Sequence, residues 1–153
     1  MLRWLWLSVL IIVADQATKI VVSSYLEMFQ PVAIIPFLNL MLAHNTGAAF
    51  SFLSEAGGWQ RWFFSILAFV VSVFIFFWIK KLKPHEKMDA IALSLVLGGA
   101  IGNLIDRVRL GYVVDFIDVY VGASHWPAFN FADSAIVIGA VLLLVLSFKS
   151  DKK

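Results

Sequence analysis

The 153-residue chain contains no cysteine, and only 14% of its residues are charged. The first absence excludes disulfides, thiolate metal sites and a cysteine nucleophile. The second excludes an ordinary soluble domain, which carries about 25% charged residues. Histidine is scarce too: His44, His85 and His125 are scattered without ligand spacing, so nothing points to a metal or another cofactor. The net charge of +2 is too small to suggest a nucleic-acid partner. There is no internal repeat or low-complexity segment, and neither a Ser–His–Asp order nor a Ser–Lys motif stands out; Ser134 follows Asp133 without a base of its own. What fills the space is apolar, 61% of the chain, and that is a membrane composition.

At about 20 residues per crossing, the chain reads as one domain, 1–153, with spans at approximately 4–22, 59–79, 88–106 and 130–148. The first is read as a retained span and not a cleaved signal peptide. Its apolar run continues past Asp15 and Lys19 with no small-residue cleavage site. Residues 23–58 differ in character: Pro31 and Pro36 bracket a β-branched run, and Asn45 and Gly47 form a turn. This pattern predicts short strands and a short amphipathic helix outside the bilayer or at its edge. Residues 107–129 are expected to form an outer loop. The expected fold class is therefore an all-α membrane protein with one small extramembrane element. Arg3, Lys80, Lys81, Lys83, Lys87, Lys149, Lys152 and Lys153 fall on one side of a four-span layout. Arg61, Arg107 and Arg109 fall on the other, with Lys19 inside the first span. The positive-inside bias then places both termini in the cytoplasm and the segments with Asn45, Asp115 and Asp133 outside.

The stretch 98–134 concentrates the polar residues of this apolar chain: Asn103, Asp106, Arg107, Arg109, Asp115, Asp118, Asn130 and Asp133. Ionisable groups at or near a membrane are costly and by default mark a functional site. Asp115 and Asp133 flank the expected outer loop, which could fold back and join them. Two carboxylates held close cannot both ionise easily, so one keeps a proton while the other serves as a base toward water. The plainer reading makes Asp133 a helix N-cap and Asp115 a solvated loop residue. On spacing alone Asp118 is an equally good partner. Asn103 and Arg107, four apart, could present donors to a substrate backbone, or they could simply end a helix, with Asp106 paired to Arg107 or Arg109. Asp15 and Lys19, also four apart, can pair and tie the first span to the bundle. Asn130 could orient a carboxylate or satisfy backbone near a helix start.

Five blocks in order, DQATK (15–19), NTGAAF (45–50), GGAIGNLIDR (98–107), VVDF (113–116) and FNFADS (129–134), closely resemble bacterial lipoprotein signal peptidase, also called signal peptidase II. The resemblance spans nearly the whole chain, and the segment 119–128 matches no motif. It implies an aspartyl endopeptidase of the bacterial inner membrane that cuts prolipoproteins just before their diacylglyceryl-modified cysteine. It also implies four transmembrane helices with both ends cytoplasmic, plus a periplasmic β-cradle and a short amphipathic helix over 31–58. Carried over by position, Asp115 and Asp133 match the catalytic pair. Asn45, Gly47, Asn103, Arg107 and Asn130 match substrate-binding positions, and Asp15, Lys19 and Asp106 supporting ones. Lipidated prolipoproteins, membrane lipids and the antibiotic globomycin are the implied partners, with no metal, cofactor or nucleic acid.

Two rival classes fit less well. A transporter or channel component would need polar residues through the midplane of several spans, and the second and fourth have almost none. A scaffold packing through Gly98, Gly99 and Gly102 gives no reason for two acids at the outer boundary.

Overall fold

The structure, a computed structural model, describes residues 1–47 and 58–150. After one 3-10 turn, α1 (Leu5–Tyr25) is followed by α2 (Trp59–Lys81), α3 (Lys87–Arg109) and α4 (Phe131–Ser150). Each is long and apolar enough to cross a membrane. No proline interrupts them; Pro84 sits between α2 and α3, where a missing N–H breaks nothing.

Helix α3 is the centre of the bundle. It packs against the other three and is more than half buried, whereas each of the others is buried over less than a third. Small residues make this possible. A β-carbon on Gly98 would lie 2.8 Å from the Ile11 Cβ of α1, and one on Gly99 would run into the Ala132 carbonyl of α4. The other helices turn Val13, Phe69, Phe74 and Leu144 outward, as a bundle in hydrocarbon can. One buried apolar cluster, Ile75, Ile79, Leu93 and Leu97, joins α2 to α3.

At one end the helices are closed by an antiparallel sheet in the order β1 (Val32–Ile35), β2 (Leu38–Asn45), β3 (Val113–Val121), β4 (Ser124–His125). Strands β1 and β2 follow α1, while β3 and β4 follow α3. The sheet therefore caps the end where α1 and α3 finish and α2 and α4 begin. A second apolar cluster, Val22, Leu42, Val114 and Phe116, fastens it to α1. This corrects the all-α expectation, and with it the outer loop expected over 107–129. Helix α3 runs on to Arg109, and the segment beyond it supplies the longest strand of the sheet. The strand was masked because Asp115 and Asp118 are both buried, so its pattern does not alternate apolar with polar. A bulge in β2 between Leu40 and Ala43 accommodates this: Asn39 pairs with Asp118 and Ala43 with Asp115, four steps on β2 against three on β3. Of the segment 31–58, in which the short amphipathic helix is expected, residues 48–57 lie outside the described residues.

Gly99→Ala tests the close packing. Forcing a methyl against the Ala132 carbonyl should lower stability by about 1–3 kcal/mol, read as a lower thermal unfolding midpoint in detergent. Leu144→Ala, on the outward face, should change the midpoint little.

Candidate functional site

The polar core begins with Lys19 on α1, 3% exposed. Its Nζ bonds Asp15 Oδ2 at 2.9 Å, Asp106 Oδ2 at 2.8 Å and the Asn103 side-chain oxygen at 2.9 Å, which uses all three ammonium protons. Both acids are bound on their far sides as well. Asp15 Oδ1 accepts the Ala132 N–H near the start of α4, and Asp106 Oδ2 accepts the Val114 N–H of β3. Gln16 donates to Asp106 Oδ1 at 2.8 Å and to the Gly102 carbonyl at 3.2 Å. The expected pairing of Asp106 with Arg107 or Arg109 is replaced by this network. The partners of Asp106 lie on α1 and β3, two elements that neighbour spacing on α3 alone does not reveal.

Because Lys19 holds the Asn103 oxygen, the Asn103 amide nitrogen faces the other way and donates to Asp133 Oδ1 at 2.7 Å. Asn130 completes the link. Its Nδ2 donates to Asp115 Oδ1 at 2.7 Å and to the Asn103 oxygen at 3.1 Å. Its Oδ1 accepts the Asp133 N–H at 2.9 Å, while its own N–H donates to Asp133 Oδ2 at 3.3 Å. Those last two bonds form a reciprocal capping box at the start of α4. Asn130, not Asp133, is the cap, and Asp133 stands three residues inside. The other Asp115 oxygen accepts from Asn45 Nδ2 at 2.9 Å. Asp115 and Asp133, 18 positions apart in the chain, thus share Asn130 as a common partner.

Asn45 Oδ1 also accepts the Gly47 N–H at 2.9 Å, and Arg107 donates to the Gly47 carbonyl at 3.0 Å. The Arg107 guanidinium lies 5.6 Å from the centre of the Phe64 ring, and its Nε has no hydrogen-bond partner among the described residues. Arg61 reaches back to the Arg107 carbonyl at 2.9 Å, a support that sequence reasoning missed because Arg61 opens a different span. Asp118 goes elsewhere. It accepts from Asn39 at 2.8 Å and faces His125 Nδ1 at 2.8 Å, and it bonds none of the groups that hold Asp115 or Asp133. Its missed partners, Asn39 and His125, become legible only from the strand register. Among the described residues no three His, Cys, Asp or Glu side chains converge as metal ligands would.

Among the described residues two cavities adjoin the cluster. A cleft of about 410 Å³ reaches Gln16, Lys19 and Asp106 from the side of Ser23, His44 and Arg109. A second, of about 330 Å³, reaches Asp133. Asp115 is 1% exposed. Burial, and after it the charge of Asp133, push the Asp115 carboxyl up to about 7, against the lowering effect of the Asn45 and Asn130 amides.

Two solved structures resemble the fold over nearly its whole length. Both are described as bacterial membrane enzymes solved by the in meso method. One is 34% identical, with a TM-score of 0.88 over 99% of this chain and 92% of that one; the other is 33% identical, with a TM-score of 0.83 over 96% and 93%. Fold and site together define a multi-pass membrane enzyme. Residues 7–149 match the family described as signal peptidase (SPase) II. Proteins named lipoprotein signal peptidase from Ectopseudomonas mendocina and Alteromonas mediterranea are 58% and 52% identical, each over 99% of this chain and over 90% and 84% of their own lengths. The chain belongs to the signal peptidase II family.

Two outcomes follow from the geometry. Lys19→Met leaves Asp15 and Asp106 buried without their cation and should cost about 3–5 kcal/mol. Adding Asp106→Asn should recover part of the unfolding midpoint. A raised Asp115 carboxyl means that the folded state binds this proton more tightly than the unfolded one. The stability it contributes is complete below the ordinary value of 3.8 and is lost as pH rises through about 7. Infrared difference spectra should show a protonated carboxyl band that disappears near pH 7 and is missing in Asp115→Asn. In Asp133→Asn the midpoint should fall.

Proposed function

We propose that the protein is an aspartyl endopeptidase that removes the signal peptide of diacylglyceryl-modified prolipoproteins, cutting immediately before the lipidated cysteine. The observation that carries this reading is two carboxylates held by one residue, Asn130, which donates its side-chain amide to Asp115 and its backbone N–H to Asp133, at the sheet-capped end of a membrane-length bundle. Membership of the signal peptidase II family supplies the reaction class. Asp115 enters the reaction protonated, as its raised titration favours, and Asp133 enters ionised. Asp133 takes a proton from water as the water oxygen bonds to the scissile carbonyl carbon, and Asp115 gives its proton to the carbonyl oxygen. The resulting diol collapses: Asp133 protonates the departing nitrogen, the C–N bond breaks, and a diol hydroxyl returns its proton to Asp115. Both acids finish as they began.

Asn45, Gly47, Asn103, Arg107 and Asn130 hold the peptide and the acids in this scheme. Asp15, Lys19 and Asp106 act from behind by holding Asn103. Substrates reach the site by lateral diffusion in the bacterial inner membrane, and globomycin competes for the same place. Lys80, Lys81, Lys83 and Lys87 lie at the end of the bundle away from the sheet, which supports cytoplasmic termini and an outward-facing site.

The test is cleavage of a diacylglyceryl-modified prolipoprotein by the purified protein, read as a gel shift. Asp115→Asn and Asp133→Asn should each lose at least about a thousandfold in rate, as removal of a unit-acting catalytic group does. Asp118→Asn should keep cleaving with lowered stability. An active Asp115→Asn variant overturns the pair.

A further inference from the structure

The cleft of about 410 Å³ enters the sheet-capped end between α1 and α3 and shares no lining residue with the one beside Asp133. Its rim and its floor differ in charge. Arg109 at the rim is exposed, whereas Lys19 and Asp106 at the floor are each 3% exposed. With Asp15 behind them, two carboxylates there face one ammonium. Several polar groups of the cleft are unspent. Among the described residues the side chains of Ser23, Arg109 and Tyr112 make no hydrogen bond or ion pair. His44, stacked on Tyr112 with ring centres 3.8 Å apart, makes none either. Gln16 has committed its amide protons, and its carbonyl oxygen is left to accept. Asp106 Oδ1 accepts from Gln16 alone, which leaves it one further lone pair.

An occupant that completes these groups needs an anion for Arg109, Ser23 and Tyr112, and a compact cation with N–H donors for Gln16 and Asp106. Asp106 and Arg109 are three residues apart on α3, so the two charges stand about 4–5 Å apart. A purely anionic ligand meets the excess carboxylate of the floor. A trimethylated ammonium has no proton to give. A phosphate diester joined through two carbons to a primary ammonium satisfies both ends. Toward the middle of the span, Ile20, Val13 and Trp6 recur every seven residues along α1 and are exposed, an apolar stripe against which acyl chains can lie. We propose that this cleft binds the phosphoethanolamine headgroup of a membrane phospholipid, with the phosphate on Arg109 and the ammonium on Asp106 and Gln16. The site goes beyond the peptidase reading and does not depend on it. A bound lipid would join the network that holds Asn103, since Asp106 and Asn103 share Lys19.

The experiment uses the full-length protein in a non-ionic detergent, with thermal unfolding and native mass spectrometry as readouts. Phosphatidylethanolamine should raise the unfolding midpoint by about 2–4 °C and remain attached as a single-lipid adduct. Phosphatidylcholine and phosphatidylglycerol with the same acyl chains should do neither. Arg109→Gln should weaken phosphatidylethanolamine binding about tenfold, the effect of losing a charge-assisted bond. Ser23→Trp, which blocks the rim, should abolish it. Arg3→Gln, a cation removed at the opposite end of the bundle, should bind as wild type. Positions 23 and 109 are exposed, so both variants should match the lipid-free midpoint of the wild type. Equal retention of phosphatidylcholine means that the headgroup is not read, and a preference for phosphatidylglycerol means a plain anion site; either result overturns the proposal. So does an Arg109→Gln variant that binds as wild type. If soluble glycerophosphoethanolamine matches the lipid at equal concentration, the ligand is the free ester and the membrane source is wrong.

Discussion

One buried ammonium organises the membrane half of this protein. Lys19 carries its charge to a place where desolvation alone would expel it, and it stays because three oxygen atoms receive its three protons. Two of those oxygens belong to acids that reach onward, Asp15 to the start of α4 and Asp106 to the start of β3. A single charge thus sets the relative positions of three helices and the sheet. The third oxygen turns Asn103, and through it the donor that meets Asp133.

The two acids at the site share a partner yet have different surroundings. Asp115 is enclosed by strand neighbours and by two asparagine amides, and water is kept from it. Asp133 sits on the first turn of a helix and borders a cleft. Such asymmetry lets two chemically identical groups take different roles at one pH. Asn130 serves both: its side-chain oxygen caps α4 at the Asp133 N–H, and its side-chain nitrogen holds the Asp115 carboxylate.

Much of this was legible in the sequence. The four helices followed from apolar runs of sufficient length, and the paired Asp15 and Lys19 from helical spacing. The bracketed run between Pro31 and Pro36 became β1. The strand β3 was not legible. A strand that buries two aspartates three positions apart, one on each face, breaks the alternation by which strands are recognised. The choice between Asp115 and Asp118 was equally closed to spacing. It depends on cross-strand register, which places Asn39 opposite Asp118 and Asn45 within reach of Asp115. Asp106 was read toward its arginine neighbours because helical spacing favours near residues, whereas its partners come from α1 and β3.

The pairing of Asp15 with Lys19 on successive turns of α1 also bears on how the chain enters a bilayer. An ion pair between residues four apart is complete as soon as the helix forms. The first segment can leave the translocation machinery with its opposite charges already neutralised, before α3 or α4 has been synthesised. Asp106 and the α4 N–H then join a pair that is waiting for them. In this order of assembly the first two charges of the network neutralise one another before the third arrives.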